Sequence, residues 1–183
     1  KDHTGEFCEM LVNETKNDVE TNLAATLHTG GPVMAGACIG FAAFFALLGA
    51  VLLALKADVF FYAFCFAAAA LLLLFLLFGY KPMLKAVLRK SLAGKETVHR
   101  FVFLEDNLEF RTERGEQITG KSVVAYQDIR KVTEYADMWI VWLDRSTVLA
   151  VSRSGMTQGR AEDLSVLFGV KLGERFKSHV RAR

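Results

Sequence analysis

The chain has 183 residues, 52% of them hydrophobic, and its 22 Lys and Arg against 20 Asp and Glu leave a net charge of +2. That length suits one ordinary domain, or a small domain with something beside it, and the near-neutral balance argues against nucleic-acid binding. Three cysteines, Cys8, Cys38 and Cys65, form no CxxC pair and no even set, so they point to small apolar fillers rather than a disulfide framework or a zinc site.

Residues 1–29 come first. "EFCEMLV" alternates like a strand, and "NDVETNLAATLH" puts Val19, Leu23 and Leu27 on one helical face with Asn17 as the expected cap. Residues 1–30 hold two Lys and six acidic residues, a poor match to the basic start of a signal peptide.

Between residues 31 and 80 the only charges are Lys56 and Asp58. They divide a continuous apolar run into residues 33–55 and 59–80. At the helical rise each piece reaches roughly 33 Å, enough for a hydrocarbon core of about 30 Å. Neither piece has a polar face, so the pattern predicts a transmembrane hairpin over 33–80 with "KAD" as its turn. Two spans place both flanks on one side. The cations after the second span set that side as the cytoplasm, in a multi-pass topology with both termini inside. Gly36, Gly40 and Ala43 in the first span, and Ala63, Ala67 and Ala70 in the second, are the expected helix-packing residues. The GxxxG serves intramolecular packing or a homo-oligomer equally well.

Residues 81–96 form a basic amphipathic linker. Met83, Leu84, Val87, Leu88 and Leu92 recur at helical steps, with Lys81, Lys85, Arg89 and Lys90 among them. The segment reads as a continuation of the second helix, or a separate one, ending near Gly94, with Pro82 marking a kink or a first turn. Its four cations are candidates for contact with the membrane surface.

Residues 97–183 have the composition of a soluble domain, with 13 Lys and Arg against 12 Asp and Glu over 101–183. Period-two runs separated by turns near Glu105-Asp106, Gly115, Ala136-Asp137, Asp144 to Ser146 and Ser152 to Gly155 predict an antiparallel meander. Met138 to Leu143 is apolar on both faces and fits a strand covered on both sides. Ala161, Leu164, Leu167 and Phe168, then Leu172 and Phe176, return to helical spacing, with Gly169 and Gly173 as candidate breaks. The expected class is a membrane α-helical hairpin plus an α+β domain, a meander or roll closed by a C-terminal helix. Residues 1–29 are expected to pack on that domain.

No GxGxxG, P-loop, GxSxG or HExxH motif is present, and His3, His28, His99 and His179 lack metal-ligand spacing. Glu105-Asp106 reads as a solvated turn. Trp139 and Trp142 are three apart and so face opposite sides of a strand, one as core and one as a candidate partner contact. Arg130, Lys131, Arg145, Arg153 and Arg160 are candidates for a basic patch. No enzyme, cofactor or metal site is expected.

The order of parts, with "FVFLEDNLEFRT", "YQDIRKVTEYADMWIVWL" and "TVLAVSRSGM", resembles the YcxB-like family of bacterial membrane proteins. The most telling pieces are the Y-x-x-I-x-K-V stretch from Tyr126 to Val132 and the segment Val148 to Met156, where Val151-Ser152-Arg153 stands in place of the family's usual I-P-K. The resemblance covers most of the chain and implies a C-terminal domain similar to the pleckstrin-homology (PH) fold on a membrane anchor. It carries no catalytic residue. A well-patterned domain tethered to a hairpin with no polar interior and no catalytic constellation points to a membrane-anchored binding or adaptor protein with the lipid bilayer and a protein as partners. The alternatives are an immunity protein against a membrane-acting or secreted toxin, as some two-span proteins of this kind resemble, and an anionic-lipid sensor.

Overall fold

A computed structural model of the chain describes residues 10–94, 97–115 and 117–180. Thr26–Ser91 is one compact unit, and the described residues on either side of it together make the other.

The second of these, the sheet domain, begins with β1 (Leu11–Lys16) and the first turns of α1 (Val19–Thr29). Of the strand expected over 6–12, Leu11 and Val12 open β1, which runs on to Lys16, and residues 1–9, with His3 and Cys8, lie outside the described residues. The helix cap is Asp18 rather than Asn17, because the Thr21 amide donates to Asp18 Oδ1 at 2.8 Å. Asn17 has another task. Its amide donates to the Thr97 carbonyl at 2.9 Å and its Nδ2 to Thr97 Oγ1 at 2.8 Å. That pair closes the last rung between β1 and β2 (Val98–Phe103), where Lys16 faces Val98. The chain thus leaves and re-enters the sheet at adjacent points.

After β2 come β3 (Asn107–Arg114) and β4 (Gln117–Ala125), then β5 (Lys131–Glu134), β6 (Met138–Trp142), β7 (Val148–Ser152), β8 (Met156–Gln158), α5 (Ala161–Leu172) and β9 (Phe176–Ser178). They build two sheets, β4-β3-β2-β1-β8 and β7-β6-β5-β9. All pairings are antiparallel except β5 with β9. β1 lies between β2 and β8, so the sheet is completed by residues from before the apolar run. Two close approaches fix it there. A Cβ on Gly155 would stand 2.5 Å from the Glu14 carbonyl oxygen, and Gly159, at φ +79°, leaves no room for one against Leu11.

Phe101, Phe103 and Leu108 from one sheet, Val132, Trp139, Val141 and Val151 from the other, and Leu164 and Phe168 from α5 form one core. The helix is the layer that both sheets bury against. It runs through Gly169 and stops at Gly173, whose φ of +55° ends the helical path, so Phe176 belongs to a strand and not to a second helical piece.

The other unit contains α2 (Gly31–Ala54), α3 (Val59–Leu74) and α4 (Tyr80–Leu92). Between α3 and α4 the helix continues as one π turn, Phe75–Gly79, so a single 34-residue rod runs from Val59 to Leu92. Pro82 explains the turn. In an α-helix its ring would press on the Phe78 carbonyl, and it has no N–H to offer that oxygen. Widening the preceding turn relieves the clash without breaking the rod. The rod ends just before Gly94 at φ +69°.

Candidate functional site

The turn between α2 and α3 is tightly specified. The Lys56 amide donates to the Leu53 carbonyl and the Ala57 amide to the Leu52 carbonyl, both at 3.0 Å. This is a Schellman motif with Lys56 in the left-handed position at φ +52°, where glycine is usual. Holding a side chain there costs about 1 kcal/mol. Asp58 then caps α3, its Oδ1 accepting from the Phe60 amide at 2.9 Å. The two charges of the apolar run are both used to reverse the chain.

α2 and α3 meet along a seam of small residues. Ala35, Cys38, Ala42, Phe45, Gly49 and Leu52 line it on α2, with Ala46 also covered, and Tyr62, Cys65, Ala69 and Leu72 line it on α3, with Ala68 also covered and Leu76 of the π turn continuing the row. Steps of three and four alternate, the 3.5-residue period of left-handed packing. A Cβ on Gly49 would stand 3.2 Å from Cys65 Cβ, so the helices approach closely there. Cys38 and Cys65 are buried free thiols in this seam. Gly36, Gly40, Ala43, Ala63, Ala67 and Ala70 are exposed instead. Nothing lies within 4 Å of a Cβ built on Gly36 or Gly40. Those six residues do not pack this hairpin. Gly40 with Ala37, Phe41 and Phe44 lines a shallow apolar notch of about 450 Å³ on the outer side of α2.

Away from the seam both helices present large apolar side chains. Val33 is 75% exposed, Phe60 71% and Leu77 72%, and Ile39, Phe41, Leu47 and Leu71 are more than half exposed. Both helices are long and apolar enough to cross a membrane. Beyond them α4 carries Lys81, Lys85, Arg89 and Lys90 with no acidic residue between Tyr80 and Gly94. Lys81, Arg89 and Lys90 are exposed and Lys85 is half-buried, as are Leu84, Leu88 and Leu92 on the neighbouring row.

In the sheet domain Trp139 is fully buried while Trp142, on the other face of β6, is half-buried under Lys131, whose Nζ lies 4.6 Å from the ring centre. Of the two, only Trp142 presents surface. Trp139 belongs to a polar cluster under α5. Glu134, buried at the end of β5, accepts from Arg153 Nη1 at 2.6 Å and from Ser165 Oγ at 2.6 Å, and Trp139 Nε1 donates to Ser165 Oγ at 3.2 Å. Arg153 also stacks over the Trp139 ring at 5.0 Å and reaches Glu162. The cluster neutralises a buried carboxylate and ties α5 to β5 and β6. Sequence reasoning missed it because its members are scattered over 32 positions of chain and share no motif.

Asn13, Thr15 and Ser152 make a second buried bridge. Thr15 Oγ1 donates to Asn13 Oδ1 at 2.7 Å, Asn13 Nδ2 to the Ser152 carbonyl at 2.7 Å, and the Ser152 amide to Thr15 Oγ1 at 2.9 Å. It joins β1 of one sheet to β7 of the other. Nearby, His99 is half-buried against Phe101 with Nδ1 3.1 Å from Thr112 Oγ1, and burial holds its pKa below 6.5.

The expected basic patch is dispersed. Arg153 is spent on Glu134, Arg160 pairs with Asp163 at 2.9 Å, and Lys131 covers Trp142. Glu105 and Asp106 lie in an exposed turn. Asp144 accepts four hydrogen bonds from the amides and hydroxyls of Ser146 and Thr147, which hold its carboxyl well below the usual range. Among the described residues no group of three or more His, Cys, Asp or Glu is placed to hold a metal ion. No family model matches the chain, and no curated protein or solved structure matches it.

Proposed function

We propose that the chain is a two-span protein of the bacterial plasma membrane that holds a PH-like domain at the cytoplasmic face and acts there by binding another protein. The observation that carries this reading is the exposed apolar surface of α2 and α3. In water each fully exposed Leu or Phe forgoes about 1.5–3 kcal/mol of burial, and a soluble core helix would be covered by protein. A bilayer supplies that cover. The cations of α4 favour the cytoplasmic side. Two antiparallel meanders closed by α5 support the PH-like assignment, and the cross-linked cluster around Glu134 supports a structural use of the domain's buried charge. Half-buried Trp142 is the contact residue this reading favours.

Membrane fractionation followed by protease treatment tests it. The chain should stay with the membrane through an alkaline wash, and its sheet domain should be cut in inverted vesicles but not in intact cells. A photo-crosslinking residue at position 142 should then capture a protein partner, while one at Lys121 does not. A chain that stays dispersed without detergent overturns the reading.

A further inference from the structure

We infer that α4 is a recognition surface for anionic phospholipid headgroups, an inference that rests on the membrane reading above and assigns α4 a ligand beyond setting orientation. Three observations on the same element carry it.

The first is continuity. The rod from Val59 to Leu92 has 34 residues, about 51 Å at the helical rise against a hydrocarbon core of about 30 Å. With Asp58 at one surface, the apolar residues run out near Tyr80, and α4 must emerge into the headgroup layer as rigid helix. The second is charge. Lys81, Lys85 and Arg89 follow one another at four-residue steps, Lys90 stands on the opposite side, and no acid interrupts them. Each step advances about 6 Å, so the cations sample the full depth of the phosphate layer. The third is the apolar content. Met83 and Val87 are 49% and 57% exposed on the same helix. In water they are a liability, but at the headgroup–acyl boundary they have the glycerol-proximal methylenes of the lipid chains to contact, while the lysine stems lie along them.

The occupant is thus a leaflet rich in acidic phospholipid. The full chain is reconstituted in mixed phosphatidylcholine–phosphatidylglycerol vesicles. It is then extracted gently, and the two lipids it retains are quantified by mass spectrometry. Wild type should retain phosphatidylglycerol severalfold above its bulk share. Each cation removed should lower that preference by up to about fivefold, so K81Q/K85Q/R89Q/K90Q should return to the bulk ratio. Lys56→Gln, at the far turn, should leave the preference intact. A bulk ratio in wild type, an unchanged preference in the quadruple variant, or an equal loss in Lys56→Gln overturns the inference while the membrane reading stands. Failure of wild type to float with the vesicles overturns both.

Discussion

In the hairpin, Val33, Phe60 and Leu77 stand more than two-thirds exposed, while in the sheet domain Phe101 and Phe103 are 1% and 2% exposed and Trp139 is sealed. The sheet domain hides its large side chains inside and brings small or polar ones outward. The hairpin does the reverse, with Cys38, Ala42, Gly49, Cys65 and Ala69 inside and phenylalanines outside. On the proposed membrane reading, each pattern suits its own solvent. Water makes burial of large apolar groups favourable, whereas lipid is as apolar as leucine and rewards close backbone approach instead. The difference between the regions can be broken experimentally, because each makes demands the other does not.

The largest effect concerns how the sheet domain is closed. β1 is an interior strand supplied from before the hairpin. Residues 97–183 alone would lack it, leaving β2 as an open edge and Phe103 and Phe101 without their cross-strand neighbours Leu11 and Asn13. We expect no cooperative unfolding transition from that fragment. Co-expression with residues 1–29 should restore one in part. Both tryptophans lie in this domain, so their fluorescence reports on it separately from the hairpin. A fragment as stable as the whole chain would show that β1 is dispensable.

Next in size is a matched pair of truncations. Phe103→Ala empties core between β2 and α5, where the Phe103 and Phe168 rings meet edge to face at 5.6 Å, and should cost about 3–5 kcal/mol. Phe41→Ala removes an equal side chain from the outer surface of α2 and should change stability in detergent by less than about 0.5 kcal/mol. Denaturant titration followed by tryptophan fluorescence and by helical circular dichroism separates the two. A large loss from Phe41→Ala would mean that protein, not lipid, covers that face.

A third pair separates the two stripes of small residues. Gly49→Val sets a branched side chain against Cys65 and Phe66 and should cost about 1–3 kcal/mol. At Gly40 a Cβ meets nothing within 4 Å, and Gly40→Val should cost little in the isolated hairpin. Thermal unfolding in detergent measures both. Equal effects would place the GxxxG in the seam after all.

The seam also marks where the sequence could and could not be read. Two apolar segments of spanning length, the charges that end them and the period-two runs that follow are local properties, and composition displays them. The GxxxG was the more familiar pattern, yet the working interface follows the 3.5-residue recurrence of Ala35, Cys38, Ala42 and Gly49. That recurrence is visible only when small residues are counted by period rather than by motif. The continuation of β1 beyond Val12 is hidden because its inward positions include Asn13 and Thr15. These are polar groups buried through Ser152, 137 residues away from Thr15, and no local alternation reports such a partner. Gly169 and Gly173 look alike in sequence, and only a positive φ at the second decides which ends α5. The cluster of Glu134, Arg153 and Ser165 was illegible for the same reason as the Asn13 bridge. Its energetics belong to contacts across the fold.

The smallest effect distinguishes the regions by pH. Among the described histidines, His99 has a pKa that burial lowers from 6.5, and the apolar segments 33–55 and 59–80 contain no histidine. The native state resists protonating His99 while the unfolded chain accepts the proton near pH 6.5, so the unfolded state binds more protons below that value. Stability from this group is therefore complete above pH 6.5 and declines as the pH falls toward the lowered native pKa. Carboxylates add their own decline only nearer their ordinary range, about 4. His99→Gln keeps a polar partner for Thr112 and removes the titration. Between neutrality and pH 5 the tryptophan-detected unfolding midpoint should slope in wild type and flatten in the variant, while the helical signal of the hairpin stays level in both. A slope that persists unchanged in His99→Gln would assign the proton uptake to another group, and a slope shared by the hairpin signal would mean that the two regions unfold as one.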